Sequence, residues 1–277
     1  MGTLYLVATP IGNLEDISAR ALRTLREVRL IAAEDTRRTR KLLAHYDIHT
    51  PLSSYYEHNK LSKLEEILGS LAEGDVALVS DAGTPLINDP GYELVLSALK
   101  AGFQVRPIPG PSAPVTALSV SGLPADMFLY LGYLPRKNKP RRALIQDVKN
   151  DPYTMVFLEA PHRLLDSLQD LLDVLGDRQM AAARELTKLH EEIFRGKISE
   201  ALKHFLEHSP RGEFTLVISG RESSKERWTE ERLHQELANY LQSGESASSI
   251  AGVLAKESGW PRREIYHLII SEQSTDR

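Results

Sequence analysis

Short apolar runs and amphipathic stretches alternate along most of this chain. Seven runs, TLYLVAT (3–9), VRLIAAE (28–34), DVALVS (75–80), QVRPIP (104–109), YTMVFLE (153–159), QMAAARE (179–185) and FTLVISG (214–220), have the length and aliphatic content of strands. Between them, stretches such as EEILGSLAEG and PHRLLDSLQDLLDVLG repeat leucine at steps of three and four, the period that lines one helix face. Strands alternating with helices predict an α/β protein. The prolines and basic cluster of PADMFLYLGYLPRKNKPRRAL interrupt the rhythm and place a domain boundary after residue 122. A polar, charged stretch, RESSKERWTEERL, places a second one after residue 222. The expected organisation is therefore two α/β domains, 1–122 and 123–222, followed by a helical extension, 223–277.

In the extension, Ile250, Val253 and Leu254 form one apolar face, Ser258, Gly259 and Trp260 read as a turn, and Pro261 suits the start of a second helix carrying Ile265, Leu268 and Ile269. Two short helices around a glycine turn have the helix-turn-helix pattern, and also that of a plain helical hairpin packed on its own domain. Arg262 and Arg263 at the second helix's start favour a nucleic-acid reader.

Composition narrows the chemistry. The absence of cysteine excludes disulfides, thiolate nucleophiles and thiolate metal sites, and no pair of the histidines has ligand spacing, so no metal is expected. No run of 18 apolar residues occurs, and Met1 leads straight into a strand; the expectation is a soluble, cytoplasmic protein with no membrane partner. Net charge is slightly acidic, with 34 basic against 38 acidic residues, yet two basic runs stand out. Arg136–Arg142 has five basic residues in seven and Thr36–Lys41 four in six, and their position beside candidate ligand loops points to an anionic substrate.

Open α/β sheets bind ligands beyond the carboxyl ends of their strands. Four loops there are unusually rich in glycine and proline or carry polar chemistry: ATPIGNLED, SDAGTPLINDPG, PIPGPSAPVTAL and FLEAPHRL. Glu34 and Asp35 end a strand where a dinucleotide fold places its ribose-binding acid, but PIGNLE has one glycine where that fingerprint needs three. Neither a P-loop nor a G-x-S-x-G elbow is present.

The ordered set VATPIGNLEDIS, AAEDTRRTRKLL, VSDAGTPLINDPGYELV, PIPGPSA, GLP with FLYLGYLPRK, and FLEAPHRL resembles the tetrapyrrole methylase superfamily from about Leu4 to Gly220. Within it the chain is similar to the bacterial branch that methylates the ribose 2′-oxygen of a decoding-centre cytidine in small-subunit (16S) ribosomal RNA. The resemblance implies S-adenosylmethionine in a cleft between two α/β domains, a small ribosomal subunit as partner, and a homodimer. Carried over by position, Gly83, Thr84, Pro85 and Ile87 follow the methionine part of the donor, with Asp81 and Ala82 leading in. Thr84 stands where many relatives have Asp, so a carboxylate contact there is lost or moved to Asp81. Ser112 and Ala113 supply hydrogen bonds at a helix start, Pro10 and Gly12 line the wall, and Leu158, Leu186, Phe214 and Thr215 enclose the adenine.

For the chemistry, Asp35, Glu159 or His162 is the expected proton acceptor, with Glu34 behind them. Arg37, Arg38, Arg40, Arg136, Lys137 and Arg163, with Arg262 and Arg263 of the extension, are the expected RNA contacts. Two other readings stay open: a non-catalytic RNA-binding assembly factor, and a methyltransferase acting on a tetrapyrrole ring carbon.

Overall fold

The computed structural model describes residues 2–221, 228–241 and 245–275. By chain contacts these form two compact units, Met1–Gly220 and Arg221–Arg277. The first unit holds two sheets.

The first sheet is wholly parallel, with strands β1 (Thr3–Val7), β2 (Leu30–Ala33), β3 (Leu52–Ser54), β4 (Val76–Val79) and β5 (Gln104–Ile108) in the order β3-β2-β4-β1-β5. Helices α1 (Ala19–Glu27), α2 (Thr36–His45), α3 (Leu64–Glu73) and α4 (Tyr92–Lys100) follow its strands. Alternate residues of each strand serve opposite faces, so two cores result. Val7, Ile31 and Val79 pack with Leu25 and Leu43 on one side, and Leu4, Val76 and Leu78 with Ile67, Leu71 and Leu94 on the other. Because all five strands run the same way, the loops after them gather at one edge. The loops after β1 and β4, neighbours in the sheet, are tied by paired backbone bonds between Thr9 and Gly83.

Helix α5 (Ala113–Val120) leads to the second sheet, β6 (Phe128–Tyr133), β7 (Thr154–Glu159), β8 (Gln179–Arg184), β9 (Glu192–Lys197) and β10 (Phe214–Ile218), ordered β6-β7-β10-β8-β9. Only β6 and β7 run parallel. Helices α6 (Asn138–Asp147), α7 (Leu164–Leu175) and α8 (Ile198–Glu207) bury one face through Leu164, Leu168, Ile198 and Phe205 against Phe157 and Leu216. The opposite face, Val156, Ala181 and Val217, takes Ala117 and Leu118 of α5. That packing joins the two sheets: the boundary read after residue 122 lies at the foot of α5, inside a unit the chain contacts do not divide, and the contact division falls between Gly220 and Arg221.

The seven runs in the sequence correspond to β1, β2, β4, β5, β7, β8 and β10. The unread strands are β3, β6 and β9, and each lies at a sheet edge. An edge strand buries less, so β9 has no fully buried residue and β3 has one.

In the second unit, α9 (Glu230–Leu241), α10 (Ala247–Ser258) and α11 (Arg262–Thr275) share a small core of Leu233, Leu237, Ile250, Leu254, Ile265 and Ile269. Gly259 closes α10 in the left-handed conformation, φ +70°, and the indole of Trp260 donates to the carbonyl of Trp228 at 2.8 Å. Arg262 donates to the carbonyl and hydroxyl of Ser248, which spends its guanidinium on the hairpin, whereas Arg263 is exposed. Among the described residues no helix is long and apolar enough to cross a membrane.

Candidate active site

Between the carboxyl edge of the first sheet and the end of the second lies a cavity of about 260 Å³. One wall is the loop Ser80–Gly91. Gly83 there has φ +82°, a conformation that costs an ordinary residue roughly 1–2 kcal/mol, and it holds Thr9 through bonds of 2.9 and 3.0 Å. The Thr84 hydroxyl donates to the carbonyl of Pro111 at 3.1 Å, fastening this loop to the one that starts α5. Leu86 and Asn88 also sit at positive φ, +73° and +67°, which marks a loop held in shape by its surroundings.

The opposite wall follows from strand register. Thr215 pairs with Leu158 on one side and with Ala183 on the other, so three neighbouring strands present these side chains on one face. Phe214 and Leu186 extend that wall. From β6 come both Tyr130 and Tyr133, although residues three apart in a regular strand face opposite ways. A register shift between them, with Gly132 at φ +65°, restores the phase. A Cβ on Gly132 would lie 2.7 Å from the side-chain amide of Asn88, and Asn88 accepts the Tyr130 hydroxyl at 2.6 Å. The bulge is therefore where the two halves close on each other. Burial pushes the Tyr130 phenol up to about 12, with Tyr133 and Asp89 adding to the rise.

Carboxylates dominate the polar lining. The Asp81 carboxylate accepts the backbone N–H of Asp35 at 3.0 Å and lies 3.3 Å from the Arg38 guanidinium. Glu34 accepts the N–H of Asp81 at 3.2 Å, and burial raises its proton affinity. Asp89 is pushed up to about 6, chiefly by burial, then by the charges of Glu34 and Asp81, against a lowering bond from the Ser80 hydroxyl. Across the cavity Lys188 is shared by Glu185 at 2.9 Å and Glu213 at 3.1 Å. The lining thus holds more acid than base and favours a cationic ligand.

Asp89 has a stability consequence. Its folded value lies above the ordinary carboxylate value of 3.8, so between about pH 4 and pH 6 the folded state binds the extra proton and stability falls as pH rises. Above pH 6 the cost is fully present. Asp89→Asn is expected to raise the melting temperature at pH 7.5 and to leave it unchanged at pH 4, read by thermal denaturation; equal shifts at both pH values would contradict this origin.

Of the residues expected at the donor, the cavity brings together Asp81, Ala82, Gly83, Thr84, Ile87, Ser112, Ala113, Leu158, Leu186, Phe214 and Thr215. Pro10 and Gly12 line an adjoining cavity instead, and Pro85 is buried away from both. The expected proton acceptors fare differently. Asp35 caps α2 and is gripped by Arg37 at 2.7 and 3.0 Å; these bonds hold its carboxyl well below the usual range, so it is a poor base. Glu159 is fully buried, with its oxygens on Arg163 at 2.5 Å, the Ser167 hydroxyl at 2.5 Å and the N–H of Ala160 at 2.7 Å. His162 is exposed on the short turn Pro161–Arg163 and lines neither cavity.

The expected RNA contacts also divide. Arg37 is spent on Asp35 and Arg163 on Glu159 and the carbonyl of Leu134, while Arg38 faces the cavity. Arg40, Arg136 and Lys137 are exposed. Within the second basic run, buried Arg141 pairs with Asp170, and Arg142 with Asp170 and Asp173, so α7 neutralises its end. Asp89, Asn88, Tyr130, Tyr133, Glu185, Lys188 and Glu213 line the cavity without having been singled out. A glycine between two tyrosines in YLGY was the one local signal for the bulge.

Comparison with known proteins agrees with this architecture. Residues 3–202 match the family model for Tetrapyrrole (Corrin/Porphyrin) Methylases. The chain is 48% identical over 276 residues to Ribosomal RNA small subunit methyltransferase I of Halalkalibacterium halodurans, covering 98% of this chain and 96% of that protein. It is 45% identical to the protein of the same name from Escherichia coli O157:H7, with the same coverage. Among solved structures, the methyltransferase CobJ superposes with a TM-score of 0.60 at 16% identity, covering 81% of this chain and 97% of that one. Uroporphyrin-III C-methyl transferase from Thermus thermophilus, complexed with S-adenyl homocysteine, superposes at 0.54 with 21% identity, covering 78% and 97%. With the family model covering the first sheet and four of the five strands of the second, and near-full-length relatives at this identity, the chain belongs to the tetrapyrrole methylase family.

Proposed function

We propose that this protein is an S-adenosylmethionine-dependent methyltransferase that modifies the ribose 2′-oxygen of a cytidine in the decoding region of small-subunit ribosomal RNA. The observation that carries this reading is the cavity itself: a backbone-rich turn at Gly83, an apolar wall at Leu158, Ala183 and Leu186, and a surplus of carboxylates. That set suits the proposed donor, which joins a flat heterocycle to a cationic sulfonium and an ammonium. Leu158, Leu186, Phe214 and Thr215 would hold the heterocycle, the loop from Asp81 to Thr84 the amino-acid end, and the acids of Glu34, Asp81 and Asp89 would balance the charge. The bound donor supplies a methyl group on sulfur that needs no acid to depart. The near-full-length relatives, both named as small-subunit ribosomal RNA methyltransferases, support ribosomal RNA as the acceptor.

The chain's own contribution is mostly positional. Holding the acceptor oxygen in line is worth roughly 7–11 kcal/mol of barrier, whereas a placed base typically gives about 10²- to 10⁴-fold. Glu34 or Asp89 replaces Asp35, Glu159 and His162 as the group of choice for the proton. One of these carboxylates would take the proton that the acceptor hydroxyl sheds as its oxygen receives the methyl group, the donor sulfur departing neutral with the bonding pair. A stripe of exposed apolar residues on α4, Tyr92, Leu96 and Leu99, supports the homodimer.

Incubation of the protein with tritiated donor and isolated, unmodified small subunits is expected to place label on ribosomal RNA, recovered as 2′-O-methylcytidine after digestion. A tetrapyrrole acceptor is expected to remain unlabelled. Label on the ring carbon, or none on the subunits, overturns the proposal.

A further inference from the structure

Beside the donor cavity lies a second one of about 390 Å³, at the mouth of the loop after β1 and the first turns of α2. The two share a wall made by Ile11, Arg38, Asp81, Ala82, Lys188 and Glu213. The two cavities therefore adjoin along these side chains.

Their chemistry differs. The donor cavity is rimmed by acids, and most nearby cations are committed: Arg37 to Asp35, Lys188 to Glu185 and Glu213. The second cavity adds Lys41, which is exposed and has no ion pair among the described residues. Lys41 and Arg38 lie three residues apart on α2 and so share a helix face. Arg38 itself is held by Asp81 at 3.3 Å, a long contact that an incoming anion can displace. The same cavity is lined by apolar side chains, Ile11, Leu14 and Leu42. A lysine and apolar side chains lining one cavity match a ligand with an anionic group attached to a flat or carbohydrate body.

We infer that this second cavity is the acceptor subsite, taking the ribose-phosphate of one RNA nucleotide with Lys41 on the phosphodiester and Ile11, Leu14 and Leu42 under the sugar and base. The inference rests on the proposed function and adds to it where the acceptor sits. The Arg38–Asp81 pair lies where the two cavities meet, and the anion that displaces it opens the path by which the ribose hydroxyl reaches the first cavity, where Glu34 and Asp89 stand. The same placement separates the roles of the basic run on α2: Lys41 and Arg38 face the ligand, while Arg37 is structural.

The test compares Lys41→Ala with Lys100→Ala, an exposed lysine at the end of α4 outside both cavities. With isolated small subunits and saturating donor, Lys41→Ala is expected to raise KM for the subunits about tenfold, the effect of losing one phosphate contact. Its kcat should stay within about threefold and donor affinity by calorimetry should not change. Equilibrium binding of subunits in the presence of S-adenosylhomocysteine is expected to weaken in parallel and to lose about one unit of salt slope. Leu14→Trp, which fills the cavity without altering charge, is expected to raise the same KM. Lys100→Ala should match the unaltered protein. If Lys41→Ala behaves like Lys100→Ala, or weakens the donor instead, the subsite is wrong even though the unaltered protein methylates subunits. If the unaltered protein transfers no methyl group to subunits, it is the proposed function that fails.

Discussion

Gly83→Val is expected to weaken binding of the methyl donor by about 10- to 100-fold while the protein still folds. The objection to valine is conformational. A Cβ at this position would lie 3.4 Å from the Ile11 side chain and 3.7 Å from the carbonyl of Pro111, contacts that can be accommodated, but φ is +82°. A β-branched residue there is strained by roughly 1–3 kcal/mol. It relaxes by turning the peptide, and that breaks the two bonds to Thr9, each worth about 0.5–1.5 kcal/mol. The loop that lines the cavity then moves as a whole. Calorimetry with the donor reads the loss. Gly122→Ala is the control: Gly122 has φ +79° with open space around it and lies outside the cavity, so the substitution should cost stability and leave donor affinity alone. Equal loss at both glycines would show general destabilisation, and unchanged binding in Gly83→Val would remove this loop from the donor site.

The second large effect is at Glu159, and it is one of stability. Its side chain is completely buried, Arg163 beside it is 13% exposed, and the pair holds the Ser167 hydroxyl and the N–H of Ala160 as well. Removing one member of a buried pair leaves the other charge unmatched, at a cost of about 3–5 kcal/mol. For a unit of this size that lowers the melting temperature by roughly 6–20 °C. Arg163 also donates to the carbonyl of Leu134, next to Tyr133 of the cavity, so loosening Glu159 reaches the site indirectly. Glu159→Ala should therefore melt early yet turn over within a few fold, per folded molecule, at low temperature. Glu159→Gln, which keeps hydrogen-bonding capacity, should melt between it and the unaltered protein. A variant with normal melting and turnover reduced a hundredfold would return Glu159 to the role of proton acceptor.

These two positions show what local pattern can and cannot carry. Gly83 sits in a loop whose lack of bulk is visible in the residues themselves, since glycine and proline state their backbone consequences locally. Glu159 looked like a base because it is a carboxylate in a polar loop motif beside a histidine. Its neutralisation by Arg163 is an i,i+4 pairing, but its burial depends on how α7 packs against β7, which no short stretch reveals. Asp35 differs in that its partners are local: a carboxylate capping a helix and binding the arginine two residues on has little proton affinity left. The basic run Arg136–Arg142 read as an anion site, yet Asp170 and Asp173, some 30 residues downstream, face its end.

The sequence by itself determined the α/β class, the strands buried on both faces, the glycine turn against the cavity and the family motifs, because each is written in local periodicity or in residues with special backbone freedom. Tertiary structure alone decided three of the edge strands, β3, β6 and β9, and the meeting of Leu158, Ala183 and Thr215 through cross-strand register. It also decided which charges are free. A charge is committed or available according to what lies within about 4 Å of it, and that distance is set by packing between segments far apart in the chain.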